Sequence, residues 1–151
     1  MDTKLFENPI FRAYIFYGCL LTLKTIGMVF LIAKYRFKKQ IFISPEDTKM
    51  FLVKENATVT YDDPDIERCR RAHLNDLENI PFFMFVSFFY VLTDPNPIIA
   101  INLFRIYTTV RFIYTFVYAV IVVPQPARSI SWTIGFWITM YITISTAIHF
   151  W

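Results

Sequence analysis

Residues 13–33 read AYIFYGCLLTLKTIGMVFLIA, an apolar run interrupted by a single charge, Lys24. A helix that crosses the hydrocarbon core of a bilayer needs about 20 mostly apolar residues, and this stretch is long enough. Working outward, residues 130–151 carry no acidic or basic side chain before His149. Residues 98–123 are also long enough, with Arg105 and Arg111 embedded in them. The remaining candidate is different. Its apolar part, residues 80–93, is too short to span. It must extend back to Ala72, which draws His73, Asn75, Asp76, Glu78 and Asn79 to membrane depth. Thr93-Asp94-Pro95-Asn96-Pro97 and Pro124-Gln125-Pro126 are turn signals between these runs. The expected architecture is an all-α integral membrane protein of one domain over residues 1–151. It is a four-transmembrane-helix bundle with spans at about 13–33, 72–93, 98–123 and 130–151.

Composition agrees with a bilayer environment. Apolar residues make up 56% of the chain, and charge is concentrated outside the long apolar runs. A net charge of +3 without a basic soluble module excludes a nucleic-acid binder. The N-terminus lacks a basic stretch followed by a small-residue cleavage site, so the first apolar run is expected to be retained. Loop 34–71 holds Lys34, Arg36, Lys38, Lys39, Lys49, Lys54, Arg68, Arg70 and Arg71, while turn 93–97 has no basic residue. The positive-inside rule places the loop in the cytosol and both termini on the opposite side. The sequon Asn56-Ala57-Thr58 then lies away from the glycosylation machinery.

On this topology several polar groups reach one membrane level. Arg71, Asn75 and Glu78 follow an i, i+4, i+7 spacing and share a helix face. Tyr107, Arg111, Tyr114 and Tyr118 form a second stripe, and Arg128 opens the last span. No Asp or Glu follows Asp94, so Arg105, Arg111 and Arg128 have no acidic partner in their own half of the chain. A charge at the centre of a spanning helix costs about 2.5–3.5 kcal/mol on insertion scales. Asp76 and Glu78 can offset part of that, and a bound anion suits the rest, because arginine grips carboxylates in bidentate fashion. Lys24 is expected to pair with Glu78 or Asp76 rather than to act in chemistry. His73 is a hydrogen-bonding residue and not a metal ligand, since no Cys/His set has ligand spacing. Cys19 and Cys69 lie in unlike surroundings and are not expected to form a disulfide. Cys69, between Arg68 and Arg70, is expected to have a lowered pKa.

The run Glu67-Arg68-Cys69-Arg70-Arg71-Ala72-His73-Leu74-Asn75-Asp76-Leu77-Glu78-Asn79-Ile80 resembles the signature of the MAPEG family, the membrane proteins of eicosanoid and glutathione metabolism. Lys24, Ser44-Pro45-Glu46-Asp47, Phe104-Arg105, Arg111 and Pro124-Gln125-Pro126-Ala127-Arg128 extend the likeness over nearly the whole chain. Leu74 within the run matches the glutathione transferase branch. The resemblance implies a homotrimer with glutathione between neighbouring subunits near the cytosolic face. Arg36, Arg70, Arg71, His73, Asn75, Glu78, Arg111 and Tyr118 would contact glutathione, and Arg128 would lie nearest its sulfur. Within that set, Arg36, Arg71 and Arg111 are assigned to the two carboxylates and Glu78 to the ammonium. The implied activities are conjugation of lipophilic electrophiles and reduction of lipid hydroperoxides, as in detoxification, without a metal. The implied location is the endoplasmic reticulum membrane or the outer mitochondrial membrane, with the site facing the cytosol.

The chain also departs from that branch. Tyr114 stands where many members have histidine, and Thr48 where some have a cysteine. Ser129 after Arg128, together with Cys69, resembles the prostaglandin E synthase branch instead. A glutathione-dependent prostaglandin isomerase is therefore the alternative enzyme, and a non-enzymatic helical membrane subunit is the alternative from another class.

Overall fold

The computed structural model describes residues 3–151. A short helix, α1 (Thr3–Glu7), precedes four long ones: α2 (Pro9–Lys39), α3 (Pro64–Leu92), α4 (Pro97–Thr115) and α5 (Ala127–His149). Three of the long helices start with the same device. Asn8, Asp63 and Asn96 each accept two hydrogen bonds from the first turn, and each is followed by proline. The side-chain oxygen satisfies backbone N–H groups that have no partner within the helix, and proline at the first position has none to leave unsatisfied. Asp94, in the left-handed region at φ 48°, turns the chain from α3 into α4.

The third apolar run does not stay one α-helix to residue 123. It changes at Phe116 into a π-helical turn, Phe116–Val120, and then leaves the helix. Helix also extends into both ends of the long loop, to Lys39 on one side and from Pro64 on the other. The middle of the loop is ordered by a parallel pair of two-residue strands, β1 (Ile41–Phe42) and β2 (Thr58–Val59), and a 3₁₀ turn at Pro45–Lys49. Gln40 closes α2 in the left-handed conformation, and its side-chain oxygen accepts the Lys54 N–H at 2.7 Å.

Helices α2 and α5 each pack against both α3 and α4, so that α3 and α4, adjacent in sequence, lie diagonally opposite. Side chains cross that diagonal: Phe83 of α3 stacks on Tyr107 of α4 with ring centroids 3.5 Å apart. Leu21, Ile80, Phe104 and Ile142 fill the surrounding core. The outward faces are also apolar, with Phe16, Leu23, Phe30, Phe82, Ile98, Trp137 and Ile148 exposed. An apolar exterior of this extent calls for a non-aqueous surrounding. Among the described helices, α2 alone is long and apolar enough, by length and composition, to cross a membrane. Polar residues in the first half of α3, arginines in α4 and hydroxyl residues in α5 dilute the others.

A clasp joins the end of α2 to the start of α3. Lys39 donates to both carboxylate oxygens of Asp63, at 2.9 Å each, and to Asp65. The Asp65 carboxyl is held below its ordinary pKa by the Lys39 hydrogen bond and then by Arg68. At Asp63 burial pulls upward, but Lys39 and the capped N–H groups outweigh it and the pKa is again lowered. Lys39 is raised, chiefly by its bonds to Asp65 and Asp63. Depressed carboxylates stabilise the fold above their unfolded pKa of about 3.9, and a raised lysine does so below about 10.4. The clasp is therefore complete between those values and loosens as pH falls through the depressed carboxylate range. Hydrogen exchange across residues 40–63 is expected to accelerate as pH drops below about 4, beyond the intrinsic pH dependence of exchange. In Lys39→Met the loop should already exchange faster at neutral pH, with the acid response flattened. Equal protection in the two proteins would contradict this account.

Candidate ligand cleft

A cleft of about 510 Å³ opens between α3, the π-helical turn and α5. From α3 come Arg71, Asn75 and Glu78, each about one turn beyond the last and all on the same face. From α4 and the π-helical turn come Tyr114 and Tyr118, and from α5 Arg128 and Ser129. The π-helical turn presents Tyr118 between two guanidiniums. Arg71 Nε donates to its hydroxyl at 3.2 Å, and Arg128 lies over its ring, 4.5 Å from the centroid. Guanidinium over a phenol face is a favourable electrostatic contact. With the Gln125 amide oriented to satisfy both neighbours, its oxygen accepts from Arg128 at 2.6 Å and its nitrogen donates to Ser129 Oγ at 2.8 Å. Arg128 is thus held by backing groups that leave its charge uncancelled. Glu78 has no ion pair among the described residues. The cleft combines two cations with one free carboxylate, a pattern that suits a ligand bearing carboxylates and an ammonium group.

Arg36, Arg70 and His73 do not join this cleft. They line a second one of about 330 Å³ on the other side of α3, with Glu67, and Arg71 forms the ridge between the two. Arg70 is paired with Glu67. Arg36 Nε and His73 Nδ1 are buried without a hydrogen-bond partner among the described residues. Buried polar groups normally have partners, so this second face has unused hydrogen-bonding capacity.

Arg111 and Lys24 are placed in the interior instead. Arg111 is 1% exposed and donates to Asp76 Oδ1 at 2.6 Å and Asn75 Oδ1 at 2.9 Å. The other Asp76 oxygen takes Lys24. Arg111 does not line the cleft, its Nη2 is engaged by Asp76 and Asn75, and its Nε is buried without a partner among the described residues, so its placement does not support a role as a carboxylate anchor. Lys24 pairs with Asp76, one of the two acids expected for it. Glu78, two residues further along α3, points to the cleft. Cys69 corrects another expectation. Its thiol is buried, faces the Ala119 carbonyl at 4.0 Å, and its pKa is pushed up by burial, which outweighs the lowering by Arg68. Trp132 and Thr133 also line the cleft and were not singled out from the sequence. The i+4 spacing of Trp132 from Arg128 was the available signal.

A helical chain with this apolar exterior is a membrane-bound protein, and the polar cleft between its helices is its candidate ligand site. The chain belongs to the MAPEG family, whose family model matches residues 14–148. Microsomal glutathione S-transferase 1 of Homo sapiens is 36% identical over 139 residues, covering 91% of this chain and 89% of that protein. The Bos taurus protein of the same name is 37% identical over 139 residues, with the same coverage. Prostaglandin E synthase of Bos taurus is 31% identical over 134 residues, covering 87% of this chain and 84% of that protein.

Proposed function

We propose that this protein is a membrane-bound glutathione transferase that conjugates glutathione to lipophilic electrophiles and also reduces lipid hydroperoxides. The observation that carries the reading is the convergence of Arg71, Asn75, Glu78, Tyr118 and Arg128 on one cleft. Glutathione carries carboxylates, one ammonium and a thiol, which complement the Arg71 guanidinium, the Glu78 carboxylate and the Arg128 guanidinium in turn. The cleft volume of about 510 Å³ is in the usual range for small-molecule sites, roughly 300–1,000 Å³. In this reading Arg71 holds a carboxylate and Glu78 the ammonium.

The four long helices each cross the membrane, the 34–71 loop faces the cytosol, and the chain forms a homotrimer. The second cleft supports an intersubunit site. Arg36, Arg70 and His73 lie on the opposite side of α3 from Arg128. They reach the same ligand when a neighbouring copy supplies them. The endoplasmic reticulum membrane is the proposed location, with the outer mitochondrial membrane a second.

The chemistry follows from the state of the sulfur. A free thiol has a pKa of about 8.5, so little thiolate is present at neutral pH. Arg128 stays protonated and does not serve as a base. Its fixed charge stabilises the thiolate and lowers the barrier to forming it. The thiolate attacks an electrophilic carbon arriving from the bilayer. A C–S bond forms, and the leaving group departs with its electron pair. With a hydroperoxide the thiolate attacks the terminal oxygen, the O–O bond breaks, and the lipid alkoxide leaves and is protonated to the alcohol while the sulfur becomes a sulfenic acid. A second glutathione condenses with that sulfenic acid to give the disulfide and water.

Ser129 in the cleft wall beside Arg128 favours a second reading, a glutathione-dependent prostaglandin isomerase. The two differ in whether glutathione is consumed. The purified protein is expected to deplete glutathione in step with an aromatic chloride substrate. Conversion of prostaglandin H with glutathione unchanged, and no conjugate, would replace the transferase by the isomerase.

A further inference from the structure

Behind the cleft, four polar side chains from α2, α3 and α4 form one connected group. Lys24 and Arg111 engage opposite oxygens of Asp76, and all three residues are at most 8% exposed. The same Arg111 Nη2 that reaches Asp76 also donates to Asn75 Oδ1. Asn75 precedes Asp76 by one position on the helix, a rotation of about 100°, and it forms part of the cleft wall. A guanidinium has donors and no acceptor, so the amide must turn its oxygen toward Arg111. The group left for the cleft is Nδ2, which only donates.

We propose that Lys24, Asp76 and Arg111 are positioning residues that lock the Asn75 amide with its N–H₂ toward the ligand, so that the cleft selects a hydrogen-bond acceptor there. The proposal rests on the glutathione reading, in which that acceptor is a carboxylate or peptide carbonyl of the tripeptide. Asp76 is gripped from both sides, so it cannot rotate away and release Arg111. Arg111, held in turn, cannot swing out to meet the ligand carboxylate itself. The arrangement converts a buried arginine into a fixed orientation of a neutral amide at the surface of the site.

The test is calorimetric titration of glutathione into the full-length protein in lipid nanodiscs. Asn75→Asp has nearly the same shape and keeps an oxygen for Arg111, but offers no donor to the ligand. It is expected to weaken glutathione binding about tenfold or more, as does Asn75→Ala, in line with a lost hydrogen bond to a charged group. Lys24→Met combined with Asp76→Asn leaves the net buried charge unchanged while releasing Arg111. It should weaken binding by a similar factor, and add no further loss in an Asn75→Ala background. Should that double variant not fold, Asn75→Asp decides alone. Binding as in the wild type by Asn75→Asp, or losses that multiply in full, would overturn the positioning role while leaving the glutathione reading in place. Absence of binding to the wild-type protein would overturn both.

Discussion

Replacing Arg128 with alanine is expected to lower the rate of glutathione conjugation about 10²–10³-fold, the range for removing one preorganised group that stabilises developing charge. The dissociation constant for glutathione should move far less. In the proposed reading Arg128 acts on the sulfur, whereas Arg71, Asn75 and Glu78, which line the same cleft along α3, hold the rest of the molecule. The ultraviolet absorbance of bound thiolate should disappear with the rate. Arg128→Lys is expected to recover only part of both. A lysine keeps the charge but loses the planar fork that packs on Tyr118 and takes the Gln125 oxygen. Steady-state kinetics with separate determination of kcat and the glutathione KM checks this. A loss confined to KM would make Arg128 a binding residue only.

Asp76→Ala should be the most destabilising single change in the chain. The carboxylate is fully buried and is the shared partner of two buried cations, Lys24 and Arg111. Removing one side of a buried ion pair costs about 3–5 kcal/mol, because an uncompensated charge is left behind. Here two charges are left, inside a chain read as membrane-embedded. Lys24→Met is the informative contrast. It leaves Asp76 and Arg111 as a one-to-one pair, so its effect on stability should be small by comparison. Thermal unfolding of both variants in the same detergent checks this. Equal stability of Asp76→Ala and the wild type would mean that the pair contributes nothing to holding α2, α3 and α4 together.

The parts of the site visible in the sequence are those that depend on spacing along one helix. Arg71, Asn75 and Glu78 share a face because 3.6 residues make a turn, and they do line one cleft. The start of α3 was hidden in the loop because Asp63-Pro64 opens the helix eight residues before the apolar-depth region at Ala72, in a polar context. The stripe Tyr107, Arg111, Tyr114, Tyr118 was legible as a stripe, but not in what it faces. Its first two members point into the bundle and its last lies on a π-helical turn in the cleft. Periodicity gives a face without naming the neighbour, so Arg111 was read as a ligand anchor when Asp76 already occupies it. Cys69 failed for the opposite reason. Arg68 and Arg70 are adjacent in sequence but each is rotated by about 100° around the helix, while the thiol points inward at Ala119. The split of Arg36, Arg70 and His73 from the rest needed three dimensions, since all lie within a few residues of the α3 face or the end of α2.

The central claim is that the cleft between α3, the π-helical turn and α5 holds glutathione, and calorimetric titration of glutathione into the purified wild-type protein, beside Arg71→Ala, tests it most directly. The account predicts saturable binding by the wild type. It predicts a loss of at least tenfold in Arg71→Ala, whose side chain borders both clefts and makes charge-assisted bonds to a carboxylate. No saturable heat from folded wild-type protein, or equal binding by the variant, would contradict it.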